Sequence, residues 1–426
     1  MRCDSGTMYR HRYSQQGAAT RNRLRRRKAL LVALTLSFSL AISACASKRF
    51  EATSIDGATF IERSTTQTQH PVSVTAAVPG AEETEALLGL DLYAQGIQPV
   101  WLKVENHGDS TVRVAIWSID RDYFSPLEVA YVNRKAYIKE GLANMQRWFY
   151  ENQMPRWILP GEAESGLVFT HLTRGTKGFN VDVYKTDRSL NFTFFVPIPG
   201  FRADFMDIDF QGLYAAEDIQ VLDAEGLRST LVAHPCCSTD ESGSRAGDPF
   251  NVVIVGSGLA VRRAMLRGRW EETAANSPET ALARSHRYLG RQPDGTFHKS
   301  RPDGTERKEL RLWLAPMRVG DEPVWIAQAS YDMSGATGAK AFEKYQIDPD
   351  IDDARMFILQ NFWYSQSLAR MGMVGGVPRS TLDAPAHNLS EAEYFTDGQR
   401  VVLFVSADPV AMDETIILSW QSLVEE

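Results

Sequence analysis

From about Pro71 to Asp204 apolar residues return at every second position, the period of a half-buried β-strand. The stretch "IQPVWLKVEN" sets Val100, Leu102 and Val104 against Trp101, Lys103 and Glu105. Asn106-His107-Gly108-Asp109 then supplies turn residues, and "TVRVAIW" resumes with Val112, Val114 and Ile116. "RWILPGEAESGLVFTHL", "GFNVDVYK" and "LNFTFFVPIPG" repeat the pattern, with Pro160-Gly161 as punctuation. Short strands at this spacing predict a β-sandwich of immunoglobulin-like build over residues 71–205. One stretch inside it departs. Between Arg134 and Gln153, Leu142, Met145, Trp148 and Phe149 fall at helical spacing, which predicts an inserted helix. Trp101, Trp117, Trp148 and Trp157 stand at strand and helix spacing and read as core; the alternative is a platform for sugar rings.

The chain has 426 residues, more than one ordinary core holds, and a second fold is expected over residues 206–426. "DIQVLDAEGLRSTLVAH" is helix-like, and residues 238–249 form a loop rich in Ser, Gly and Asp. "NVVIVG" reads as a buried strand, "SGLAVRRAMLRGRW" as a helix, and "SPETALARSHRYLG" as a second helix opened by Ser277 before Pro278. "KELRLWLAPMRV" and "PVWIAQASYDM" form a hairpin across Gly320-Asp321. A long helix from the aspartates near 350 to about Met371 follows, and "QRVVLFVS" closes as a strand. This order predicts an α+β domain of split βαβ type, an antiparallel sheet covered by helices over one face. The whole is an α+β multidomain protein.

Residues 1–44 carry an address. Six basic residues between Arg21 and Lys28 precede an apolar run, Ala29 to Ala44, that is short for a membrane-spanning helix. It ends in Ile42-Ser43-Ala44-Cys45, which resembles the lipobox of bacterial lipoproteins, with Cys45 as the lipidated residue. Two acyl chains there anchor a protein stably to a membrane. The expected location is the bacterial cell envelope, facing the periplasm. Ala46 and Ser47 lack an acidic retention residue, which favours the outer membrane. Residues 45–70 are polar and aperiodic and read as a tether. Without residues 1–44 the chain holds 37 basic and 52 acidic residues, a balance of −15 that argues against nucleic acid as a partner.

No motif names a reaction. Gly256 and Gly258 follow a strand and precede a helix, but Val261 occupies the third glycine position of a dinucleotide fingerprint. A tight turn is the plain reading; a phosphate on the helix N-terminus is the other. Asp348, Asp350 and Asp352 begin like a calcium loop, but Asp353 and Leu359 stand where Gly and Glu are required. Asp348 before Pro349 instead predicts a helix cap, with the remaining aspartates in the first turn, where the helix dipole favours them. A ligand or salt-bridge role beside capping stays open. Cys236-Cys237 is either a strained vicinal disulfide or two loop thiols. No cofactor, metal or catalytic set is assigned. The candidate pocket joins Asp348, Asp350, Asp352, Arg311, Asp332 and Ser257.

"AHPCCSTDESGSRAGDPFNVVIVG", "LGRQPDGTFHKS", "ELRLWLAP", "PVWIAQASYD" and "IDPDIDDAR" follow one another in an order that resembles the LssY C-terminal domain family, over about residues 206–405. The resemblance implies the cell envelope and lipid or lipid-linked carriers, since the domain often follows membrane-embedded parts resembling DedA proteins and type 2 phosphatidic-acid phosphatases. Two departures matter. The family commonly has histidine where Tyr345-Gln346 and Glu309 stand here. The phosphatase motifs themselves are not matched. The expected function is a lipid-anchored binding or accessory module for an envelope protein or lipid-linked ligand. The alternative is a hydrolase or transferase acting on a phosphorylated or lipid-linked substrate.

Overall fold

The computed structural model describes residues 50–137, 139–277, 284–300, 307–332 and 347–420. The leader, Cys45 and Tyr345-Gln346 lie outside them. So do residues 278–283 of the helix expected over Ser277–Gly290; the remainder corrects that expectation, since 284–290 is turn and isolated bridge and not helix. Among the described residues, 50–52 and 127–151 form one compact unit, and 53–126 with 152–420 form a second. The fold is mostly β, with several sheets and helices.

The alternating stretches pair as β1 (Thr65–Gln69), β2 (Val72–Ala77), β3 (Ile97–Asn106), β4 (Val112–Ala115), β5 (Trp157–Ile158), β6 (Ala163–His171), β7 (Lys177–Tyr184) and β8 (Ser189–Val196). Helix α1 (Ala81–Leu88) lies between β2 and β3 in the chain. Two four-stranded antiparallel sheets result, β1-β2-β3-β6 and β5-β4-β7-β8. Val74 pairs with Val104 in the first and Val181 with Phe192 in the second. These side chains meet in one core with Val100, Leu102, Val112 and Val114, the residues whose alternation marked the strands. The Asn106 turn is built as expected: Asn106 is buried, its side-chain oxygen accepts the Gly108 N–H at 3.0 Å, and its amide donates to Ser110 O and Ile158 O. The tether ends earlier than expected. Residues 65–69 are β1, an exposed edge strand whose Thr/Gln composition suits two wet faces.

The smaller unit contains most of α2 (Pro126–Val132) and all of α3 (Lys139–Glu151). The helix expected from Leu142, Met145, Trp148 and Phe149 is α3, and Met145 and Phe149 are its buried positions. Phe50 packs its ring against Tyr137, Trp148 and Phe149 at 5.6–6.1 Å between centroids.

The second half runs β9 (Gln220–Leu222), α4 (Ala224–Ala233), β10 (Cys237–Thr239), β11 (Ala246–Pro249), β12 (Val252–Val255), α5 (Gly258–Arg267), β13 (Glu271–Glu272), β14 (Gly295–Ser300), β15 (Arg307–Val319) and β16 (Glu322–Asp332). It continues with α6 (Ile351–Tyr364), β17 (Leu368–Val374), β18 (Ala386–His387), β19 (Glu393–Tyr394), β20 (Arg400–Val405) and β21 (Ile416–Ile417). A nine-stranded sheet runs β13-β14-β15-β16-β12-β20-β17-β21, with β9 beside β15. The β15–β16 hairpin turns at Gly320, φ 59°, as a Gly-first two-residue loop requires.

Two expectations are corrected. The sheet is mixed rather than antiparallel, because β12 pairs parallel with β20 and antiparallel with β16. The cause is β17, whose first four residues lie within the segment read as helix up to Met371. Helix α6 stops at Tyr364, Gln366 takes φ 56°, and the chain returns along β17 before entering β20. One extra strand reverses the direction of the last one. The helices also cover both faces. Val252 and Ile254 pack with α5 and α6, whereas Val253 and Val255 pack with Leu227 and Leu231 of α4. An uninterrupted Val-Val-Ile-Val run is the pattern of a strand buried on both faces.

Candidate functional site

The turn from β12 into α5 opens the largest concave surface described here. Gly256 is required by close approach: a Cβ there would lie 2.4 Å from Val405 Cγ2. The Trp325 indole N–H donates to Gly256 O at 2.9 Å, and Ser257 caps α5 by accepting the Ala260 N–H. Between the start of α5, the face of β14–β16 and the 205–219 segment lies a groove of about 880 Å³. Its walls include Phe205, Phe210, Leu259, Phe297, Leu312 and Trp325. Phe205 stacks on Phe297 at 6.3 Å, and Phe210 meets Trp325 edge-on at 5.6 Å. Polar groups sit at its margin. Arg262 is tied to Glu272 at 2.6 Å and to Thr176 at 3.2 Å, and its guanidinium lies over Phe195 and Phe205. Asp294 is held by Arg291 and accepts the Leu314 N–H at 2.6 Å. Among the described lining residues Arg318 is an exposed cation, and exposed Asp321 and Glu322 share its margin.

A second cluster is polar and closed. Ser238, His286 and Arg311 are buried, with Asp248 beside them. The Ser238 hydroxyl lies 3.0 Å and an Asp248 carboxylate oxygen 3.5 Å from the same His286 nitrogen, Nδ1. A relay needs the serine and the acid on opposite ring nitrogens, so these three residues do not form a nucleophilic triad. Burial, with the Arg311 guanidinium beside it, pushes the imidazole down to about 4, which leaves it neutral at pH 7. Arg311 donates to Glu309 at 3.1 Å and lies 3.8 Å from Asp248. Next to this cluster, Asp248, Asn251, Gln328, Asp348 and Tyr394 line a cleft of about 10 Å³, room for one water.

The six residues of the expected pocket do not share a cleft. Asp348 lines the small one, and its N–H donates to Tyr331 O. Asp350 is the cap of α6, accepting the Asp352 N–H at 3.1 Å, so the helix begins two residues later than the Asp348-Pro349 reading placed it. Asp352 is spent on Thr396 Oγ1 and the Asp397 N–H, both 2.7 Å away, and on Arg355 at 3.1 Å. Arg311 belongs to the His286 cluster. Asp332 pairs with Arg307 across β15–β16 and bridges to Ile347. Ser257 lines the large groove at the other end of β16. The Gly256 N–H bonds to Pro323 O there, against Tyr331 O for Asp348, and eight residues of strand span about 26 Å.

Residues that sequence reasoning missed include Asp248, His286 and the aromatic walls Phe205 and Phe210. No short spacing joins Asp248, His286 and Arg311, which come from three separated segments. Cys236 and Cys237 are disulfide-bonded and half-buried, and the second of them opens β10.

No curated protein matches the sequence. Residues 230–399 match the family model described as LssY C-terminus, a span that takes in the small cleft and most of the groove's sheet and helix walls but not Phe205 or Phe210. Over residues 230–399 the chain is similar to the LssY C-terminus family.

Proposed function

We propose that this protein is a lipid-anchored component of the bacterial cell envelope that binds an amphipathic, lipid-linked ligand, with the apolar chain of the ligand in the groove beside α5. The groove carries the reading. Its volume of about 880 Å³ falls in the range of ligand sites, and its lining is mainly aromatic and aliphatic with a few polar groups at the margin. Exposed Arg318 on that margin suits an anionic headgroup. Anchorage through Cys45 on the periplasmic side, with outer-membrane sorting, completes the reading. The paired sheets over residues 71–205 would serve as an immunoglobulin-like module. No helix among the described residues is long and apolar enough to cross a membrane. Binding is preferred to hydrolysis or group transfer because the Ser238–His286–Asp248 geometry lacks a relay and the aspartates of α6 are engaged within the fold.

The test uses the full chain and N-phenyl-1-naphthylamine, whose fluorescence rises in apolar sites. Wild type is expected to enhance the dye and to lose it to a polyprenyl phosphate. Leu259→Asp, at a half-exposed position, should weaken dye binding by about tenfold with an unchanged melting temperature. No enhancement, or equal binding by the variant, ends the reading. Incorporation of labelled palmitate that is lost in Cys45→Ser checks the anchor separately.

A further inference from the structure

The outer face of the β5-β4-β7-β8 sheet carries a row of aromatic residues around one arginine. Arg113 on β4 pairs across one side with Trp157 on β5 and across the other with Tyr184 on β7. Strand spacing puts the two aromatic positions about 10 Å apart with Arg113 between them. Trp117, in the turn that ends β4, adds a third ring 6.1 Å from Tyr184. The guanidinium lies 5.5 Å from the Trp117 centroid and 5.2 Å from that of Trp157. The core reading of Trp117 and Trp157 is therefore corrected: they are 43% and 60% exposed, whereas Trp101 is buried.

Three features separate this face from ordinary surface. Arg113 makes no ion pair and no side-chain hydrogen bond with a described residue, and its Nε is buried without a partner. A cation held between two indoles and left uncompensated attracts an anionic group. The rings are also held in place. Ser118 Oγ donates to Ala115 O at 2.7 Å and accepts the Asp182 N–H at 2.8 Å, which pins the turn bearing Trp117. Preorganised rings lose little entropy on binding. Finally, the row beside the aromatics is polar. The half-buried Asp182 and Asn191 form a hydrogen-bonded pair across β7 and β8, with half-buried Asn180 beside them, on the face opposite the buried Val181, Val183 and Phe192. An apolar partner or an acyl layer would dehydrate that row at a cost; a sugar, with C–H faces for the rings and hydroxyls for the row, would not.

We propose that Arg113, Trp117, Trp157 and Tyr184 form a binding platform for an anionic glycan, whose sugar rings stack on the aromatic faces and whose acidic substituent pairs with Arg113. The site is separate from the groove and does not depend on what the groove binds.

The test is affinity electrophoresis of the full chain through gels containing alginate, heparin or a phosphorylated mannan, with dextran as the neutral control. These probes present carboxylate, sulfate and phosphate in turn. At least one should retard the protein far more than dextran does. Trp157→Ala should weaken that retardation by about tenfold, and Trp157→Phe, which keeps a ring face, should restore most of it. Arg113→Gln should erase the preference for the acidic glycan over dextran. Unchanged far-ultraviolet circular dichroism and melting temperature establish that each variant is folded, and Trp117→Ala substitutes for any that is not. The proposal is overturned if none of the three anionic glycans retards the protein, or if Trp157→Ala and Arg113→Gln behave as wild type. Sedimentation with phosphatidylglycerol vesicles that Trp157→Ala abolishes, without glycan retardation, would assign the face to a bilayer instead.

Discussion

Arg400 is fully buried and has no carboxylate beside it among the described residues. Its guanidinium donates to Leu231 O and Pro235 O, both at 2.9 Å, to Gly376 O at 3.1 Å and to His234 O at 3.3 Å. The Leu231, His234 and Pro235 carbonyls lie at the end of α4 and just beyond it, where the helix dipole favours a cation, and Gly376 follows β17. Burial lowers the guanidinium to about 10, still charged at neutral pH. The arginine thus replaces a C-terminal cap and ties α4 to β20. Arg400→Met keeps the side chain long but removes the donor to the His234, Pro235 and Gly376 carbonyls, and should cost on the order of 3 kcal/mol. A lower urea midpoint with an unchanged slope is the expected result. Nothing in "DGQRVVLFVS" announced this role, because an arginine opening an apolar strand ordinarily marks its solvated end.

Among the elements, α6 separates what aspartates do locally from what they do as ligands. Asp350 closes the helix N-terminus and Asp348 in turn accepts the Asp350 N–H at 3.0 Å, so capping passes along the chain in steps of two. Asp350→Ala should lower stability by about 1 kcal/mol, and Asp350→Asn should retain most of it, as thermal unfolding can read. A larger loss, or a melting temperature that responds to divalent cations, would point to a ligand role instead. Further along, Arg355 binds Asp397 through two 2.8 Å contacts and Gln399 O at 2.6 Å, fastening α6 to the turn before β20. Burial raises the Asp397 carboxyl, but the Arg355 hydrogen bonds, the Gln399 N–H and the charges of Arg355 and Arg379 together outweigh it and leave the group below its ordinary range. The apolar stripe of α6, Ile351, Ala354, Ile358 and Phe362, was legible because its period is 3.6. Its end was not, because Leu368 continues that stripe while serving β17.

Across the whole molecule, α5 joins the two sheet systems. Ala260 and Ala264 pack toward β12, and a Cβ on Gly178 of β7 would lie 2.7 Å from Leu266. Buried titratable groups give the assembled fold a pH dependence. Burial pushes His286 and His234 down to about 4 from an ordinary value near 6.5. Between those values the unfolded chain binds more protons, so the two histidines' contribution, complete above about pH 6.5, is lost as pH falls toward 4. Asp204 acts oppositely. Burial raises it to about 7, so it favours the folded state as pH falls through the same window. Urea midpoints of Asp204→Asn should therefore drop more steeply than wild type between pH 6.5 and 4. Those of His286→Gln should drop less steeply, and equal slopes for all three proteins would contradict the assignment.

Local period and backbone restriction determined much by themselves. Alternation marked the strands from Ile97 to Val196, an unbroken apolar run marked β12, and Gly320-Asp321 marked the hairpin, because side-chain direction and allowed φ are set within a few residues. Those same rules say which residues share a face, not what covers it. Only tertiary pairing decided that β20 runs parallel to β12, that Trp117 and Trp157 face solvent, and that Asp248, His286 and Arg311 meet. Each outcome depends on contacts between distant segments, whose register and burial leave no periodic trace in any one of them.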